Sequence, residues 1–124
     1  MQYITQNSEI IDNQTGLIWQ RDVQNNLTYE QALELAERVA LETGLAWRVP
    51  TVEELSSLLD RTRSFPASAF PDMPSDWFWS STPDVGTADY AWSVDFKSGY
   101  VINDCLERQY AVRLVRTCGD QNAA

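Results

Sequence analysis

At 124 residues, with 44% hydrophobic and 22% charged side chains, the chain is long enough for one buried core and too short for two. Its formal net charge of −9 argues against nucleic acid and anionic membrane surfaces as partners, because both require clustered Lys and Arg. No stretch is long and apolar enough to span a bilayer as a helix, so membrane insertion is not expected.

In chain order, residues 1–20 read as a β-hairpin. Glu9-Ile10-Ile11 and Leu17-Ile18-Trp19 are β-prone runs, and Asp12 to Gly16 supplies turn chemistry between them. Residues 27–43 read as a helix. Thr28 is the N-cap and Gln31 completes a capping box; Leu33, Ala36, Val39 and Ala40 form the apolar stripe, and Gly44 stops the helix. Trp47-Arg48-Val49 is extended before Pro50. Thr51 then caps a second short helix, with Glu54 at the capping-box position, Val52, Leu55, Leu58 and Leu59 as its stripe, and an end near Asp60.

Residues 61–76 hold Pro66, Pro71 and Pro74 and read as an irregular loop. The remainder is β-rich: 77–82, then 90–96, a turn at Lys97-Ser98-Gly99, then 100–105 and 110–116. Over 90–96 the alternation puts Trp92, Val94 and Phe96 on one face and Ala91, Ser93 and Asp95 on the other. Residues 118–124 read as a tail. The expected architecture is a single α+β domain over residues 1–124, with two helices flanking a mainly antiparallel sheet.

Several ordered segments resemble a known bacterial family. They are Asp12 to Trp19, Trp47 to Leu55 with its Trp-Arg-Val-Pro-Thr core, Trp79 to Thr82, Ala91 to Phe96, and Val112 to Arg116. The chain resembles the domain-of-unknown-function family named for the C-terminal domain of Lcl, a collagen-like adhesin, over about residues 9–117. The resemblance implies a C-type-lectin-like fold, in which the termini pair and a long loop region beside the last strands carries ligands. It also implies an exported or cell-surface protein. In the adhesin the domain is associated with sulfated polysaccharide and with trimers, whereas a net charge of −9 runs against a sulfated ligand here. The opening residues, Met1 to Glu9, show no apolar signal-peptide core, so a cytosolic chain and one whose leader has been removed both fit.

Binding candidates follow from residue type and position. Trp77 and Tyr90 flank the loop 83–89, Tyr100 follows Gly99 at a hairpin tip, and exposed aromatics suit sugar faces and protein interfaces alike. Trp47, Trp79 and Trp92 are assigned to the core instead, and packing is the competing reading for the loop aromatics as well. Asp84, Asp89, Asn103 and Asp104 supply oxygens in the same region. Asn103-Asp104 before Cys105 is similar to the Asn-Asp stretch of calcium-dependent lectins, which would make calcium a cofactor, but the companion Glu-Pro-Asn or Gln-Pro-Asp tripeptide is missing and turn chemistry explains the pair equally simply. Arg48 and Arg113 are assigned structural roles, with Asp95 or Glu54 as partner.

The chain has no His and no Cys-x-x-Cys, which removes Ser-His and Cys-His catalysis and leaves zinc without support. Cys105 and Cys118 admit two readings: a disulfide between neighbouring strands, worth on the order of 3 kcal/mol in an oxidising compartment, or two reduced thiols. The expected function is a non-catalytic ligand-binding domain that recognises a glycan or a cell-surface target. The alternative is a protein–protein interaction domain of an intracellular or phage-related protein.

Overall fold

The computed structural model describes residues 2–118; the tail expected at 118–124 lies outside the described residues except for Cys118. The chain runs β1 (Tyr3–Gln6), β2 (Glu9–Asp12), β3 (Leu17–Gln20), β4 (Gln24–Leu27), α1 (Tyr29–Thr43), α2 (Val52–Ser56), β5 (Trp77–Pro83), β6 (Tyr90–Asp95), β7 (Val101–Cys105), β8 (Tyr110–Val112) and β9 (Val115–Thr117). It is α+β with mostly antiparallel sheets. A four-stranded sheet has the order β1-β2-β3-β9 and a five-stranded sheet the order β4-β8-β5-β6-β7.

Both helix starts form as their sequences dictate. Thr28 Oγ1 accepts from Gln31 N while Thr28 N donates to the Gln31 side chain, and Thr51 and Glu54 repeat the arrangement. Gly44 ends α1 in the left-handed region at φ 71°, where a Cβ would be unfavourable. The α1 stripe runs through Ala32, Leu35, Ala36 and partly buried Val39; Ala36 and Val39 lie on it as expected, and Leu33 does not. Leu33 is 40% exposed, because it lies about 100° around the helix from Ala32. The second helix closes at Ser56, earlier than Asp60, although Leu58 beyond it is buried.

The opening hairpin is a three-stranded meander, because β1 adds to β2 through pairs Tyr3↔Asp12 to Gln6↔Glu9. Strand β3 then pairs with β9 near the other end of the chain, Trp19 opposite Val115. The expected strand over 110–116 is two strands in two sheets. It breaks at Arg113-Leu114, so β8 runs parallel to β5 while β9 closes the N-terminal sheet. The meander expected from the β-rich second half therefore holds only for β5-β6-β7.

Strand β6 is covered on both faces: Ala91, Ser93 and Val94 are each 0% exposed and Asp95 5%. The alternation in 90–96 thus separates two buried faces rather than a core face from a wet one. One face carries Phe78, Val94, Phe96 and Ala111 into a cluster with Trp19 and Leu55. The other carries Trp79, Ala91 and Val112 against Leu35 and Ala36 of α1. Trp47 and Trp79 are core as expected; Trp92 is half-buried, at the edge of the first face and outside both clusters. Each fully buried Trp or Phe contributes roughly 2–3 kcal/mol of burial.

Cys105 and Cys118 are free cysteines. Cys105 ends β7, the outer strand of the five-stranded sheet, and Cys118 follows β9 of the other sheet, where its backbone N donates to Gly16 O.

Candidate functional site

The register of the larger sheet sorts its side chains into two faces. Trp77 lies opposite Asp95, Trp79 opposite Ser93, Ser93 opposite Ile102, and Ala91 opposite Asp104. Phe78 matches Ala111 in the parallel pair, which puts Tyr110 and Val112 on the same face as Trp77 and Trp79. Helix α1 covers part of that face: Tyr29 meets Trp79 edge-on at 5.6 Å between ring centroids. Beyond the helix, Trp77 and Tyr110 are half-buried and Ile102 is 41% exposed.

An open cleft of about 530 Å³ lies at this end of the face. Trp77 and Tyr110 stack within it, with ring centroids 5.7 Å apart and planes 21° from parallel. Asn25, Asn26, Asp76 and Gln109 supply polar groups around the pair. Strand β4 has a bulge between Gln24 and Leu27, and Asn26 takes φ 60° there, a conformation that Asn tolerates better than most residues. Trp79 Nε1 donates to both Leu27 O and Arg108 O, which ties β4 and the β7–β8 turn together behind the cleft.

Tyr110 also touches Trp79, at 5.0 Å between ring centroids, so one aromatic series runs from Tyr29 in α1 through the core to Trp77 at the surface. The Tyr110 hydroxyl donates to Asp104 Oδ2, and Asp104 Oδ1 accepts from Cys105 N and lies 3.5 Å from Arg108 Nε. Burial first, then the bond to Asp104 and its charge, push the Tyr110 hydroxyl well above its ordinary range and keep it a neutral donor. The cleft therefore offers a fixed aromatic surface with amide donors and acceptors around it, the combination that binds a ligand with an apolar face and a polar rim.

The candidates expected from sequence divide among different places. Trp77 is in the cleft, Asp104 stands behind Tyr110, and Tyr100, 65% exposed, is opposite Asp95 at the end of the same sheet. Asn103 and Tyr90 belong to the opposite face. Asn103 Nδ2 donates to Asp84 Oδ2 at 2.8 Å, and Asp84 Oδ1 accepts from Gly86 N, so both serve the β5–β6 loop. Asp89 is exposed beside a separate groove with Glu30, Cys105 and Glu107. Asn103 and Asp104 thus point to opposite faces, with different partners. Among the described residues, no group of three His, Cys, Asp or Glu is arranged to hold a metal ion.

Tyr110, Asn25, Asn26, Asp76 and Gln109 were not apparent from sequence. Asn25-Asn26 just before an N-cap is a pair of turn-forming amides, and only the bulge brings it to Trp77. Of the two motif arginines, Arg48 makes a bidentate pair with Glu54, at 2.5 and 2.8 Å. Among the described residues Arg113 has no carboxylate partner in hydrogen-bonding reach: Asp95 accepts from Lys97 N and Ser98 Oγ. Arg113 instead donates to Gln20 O and sits over the Phe70 ring at 4.8 Å, where the chain passes from one sheet to the other.

Fold and cleft together define a small α+β domain with an aromatic cleft at one end of its larger sheet. The chain belongs to the Lcl C-terminal domain family, whose model matches residues 8–116. This is an adhesin-related bacterial domain family. No curated protein and no solved structure matches the chain.

Proposed function

We propose that this protein is a non-catalytic binding domain that recognises a carbohydrate through the Trp77–Tyr110 cleft. One observation carries the reading: two stacked aromatic rings reach an open cleft in which every other polar contributor except Asp76 is an amide, Asn25, Asn26 or Gln109. A pyranose has an apolar C–H face and a rim of hydroxyls. The first suits an aromatic surface and the second suits amides, which both donate and accept. The lone carboxylate favours a neutral or amino sugar over a sulfated one, in keeping with a net charge of −9.

Family membership supports an adhesive role and a location outside the cell or on its surface. A C-type-lectin-like fold is part of the same proposal. It is supported by the pairing of β3 with β9, by two helices beside the sheets, and by the long connection over residues 57–76. Binding without calcium also belongs to the proposal, supported by the opposed directions of Asn103 and Asp104.

Intrinsic Trp fluorescence during titration with neutral and amino-sugar oligosaccharides tests it, after a glycan array has selected the ligands. Binding is expected to perturb fluorescence, to be unaffected by calcium or chelator, and to disappear in Trp77→Ala. Retention of full affinity by Trp77→Ala would move the site elsewhere, and an array without hits would remove the carbohydrate.

A further inference from the structure

We infer a second binding site at the tip formed by residues 61–65 and 97–100, for an acidic protein segment that carries aliphatic side chains. The inference is independent of the carbohydrate reading.

The argument starts from charge. The chain has nine Lys and Arg residues against 18 Asp and Glu. Six of the nine, Arg21, Arg38, Arg48, Arg63, Arg108 and Arg116, lie in ion pairs. Arg113 is 2% exposed. Arg61 and Lys97 remain, both exposed, and both belong to this tip. Among the described residues neither Arg61 nor Lys97 stands in an ion pair, which leaves both charges open to an outside anion.

The tip also carries the two most exposed aromatic side chains among the described residues, Phe65 at 73% and Tyr100 at 65%. These are not ends of a loose loop. Phe65 N donates to Lys97 O, Ala67 N to Phe96 O, and Arg61 Nη2 to Gly99 O, so the two segments are laced together. Gly99, at φ 90°, leaves its Cα side open to the Arg61 chain, with Arg61 Cγ 3.7 Å from where a Cβ would stand. Phe65 is held at φ 52°, an unfavourable conformation for an aromatic residue that is retained although its ring is left in water. Exposed aromatic side chains on a backbone laced in this way, beside Arg and Lys, form the kind of surface that concentrates binding energy at protein interfaces.

The occupant follows from the composition. Two cations neutralise one or two carboxylates, and two rings cover two or three aliphatic side chains. A polyanionic glycan needs a longer run of cations than these two. A short segment mixing Asp or Glu with Leu, Ile or Val satisfies all four groups.

The test uses an array of dodecapeptides graded in acidic and aliphatic content, probed with the intact labelled chain at low and high salt. Retention is expected to rise with both contents and to fall with salt. Lys97→Glu and Phe65→Ala, both at exposed side chains, are each expected to weaken it roughly tenfold, while Trp77→Ala leaves it unchanged. Equal retention of lysine-substituted peptides, or undiminished retention by Lys97→Glu, overturns the inference. So does a heparin oligosaccharide that binds the tip more tightly than any acidic peptide. Self-association of the wild-type chain that Lys97→Glu abolishes in sedimentation would replace the foreign segment with a second copy, and would likewise overturn it.

Discussion

Arg48 and Glu54 form a bidentate ion pair in which the same carboxylate also closes the cap of α2. Arg48 Nη1 and Nη2 donate to Glu54 Oε1 and Oε2, while Oε1 also accepts from Thr51 N. Arg48 reaches onward to Thr117 Oγ1, and its backbone bridges Val115 in both directions. One pair thus fixes α2 against β9, the strand that closes the N-terminal sheet.

Removing either partner leaves the other without its match in a half-buried site. Glu54→Gln and Arg48→Met are each expected to destabilise by about 1–3 kcal/mol, measured as a shift in urea midpoint at unchanged slope. Burial pushes the Glu54 carboxyl up, but the bonds and charge from Arg48 and Thr51 outweigh it and hold the pKa below the ordinary 4.5. A depressed carboxylate contributes stability that is present above pH 4.5 and lost as pH falls through its folded-state value. The acid limb of the stability profile is therefore expected to flatten in Glu54→Gln. An identical limb in both proteins would assign acid sensitivity to other carboxylates.

Thr51 Oγ1 accepts from Glu54 N, and its loss leaves that amide without its partner at the first turn. Thr51→Ala is expected to cost about 1 kcal/mol, read from thermal or chemical denaturation. The effect should shrink in a Glu54→Gln background, because the two side chains belong to one capping box. Strict additivity would show that cap and ion pair act separately.

Both capping boxes were legible because their information is local: Thr28 and Gln31, and Thr51 and Glu54, are three residues apart. The same holds for the turn at 97–99 and for Gly44. What sequence hid is set by distant pairing. Tyr110 reads as one more strand residue until the break at Arg113-Leu114 sends β8 alongside β5 and stacks the ring on Trp77. Asn25 and Asn26 reach that cleft only through the β4 bulge. Trp77 was legible as a surface aromatic, but its partners come from 33 residues later and about 50 earlier. Asn103 and Asp104, adjacent in β7, go to opposite faces, because neighbouring side chains in a strand alternate.

Tyr110 gives the alkaline counterpart of Glu54. Its hydroxyl is held neutral by burial and by Asp104, above the ordinary 10.0. A raised folded-state pKa contributes stability that is complete below the unfolded value and is lost as pH rises through the folded one. Stability is expected to decline above pH 10.0, and less steeply in Tyr110→Phe. Near neutral pH the same substitution is expected to cost about 1–2 kcal/mol through the lost bond to a carboxylate. Burial raises Tyr3 and Tyr29 as well, so ultraviolet titration of tyrosinate should lose its latest-titrating component in the variant; loss from the ordinary range instead would place Tyr110 among the ordinary phenols.

Trp77 and Trp79 sit two residues apart on one face of β5, yet they are expected to fail in opposite ways. Trp79 is 0% exposed, packs against Tyr29 and Tyr110, and donates to two carbonyls. Trp79→Ala removes that volume and both bonds, and is expected to cost roughly 3–5 kcal/mol. Trp77 is half-buried and stacks on one ring at the mouth of the cleft. Trp77→Ala is expected to cost about 1–2 kcal/mol and to leave the fold intact, with the loss appearing in oligosaccharide binding. Paired denaturation and binding curves separate the two. If Trp77→Ala melts as early as Trp79→Ala, the stacked pair is a piece of core that reaches the surface. If it melts near wild type and still binds, the aromatic surface of the cleft is not what holds the sugar.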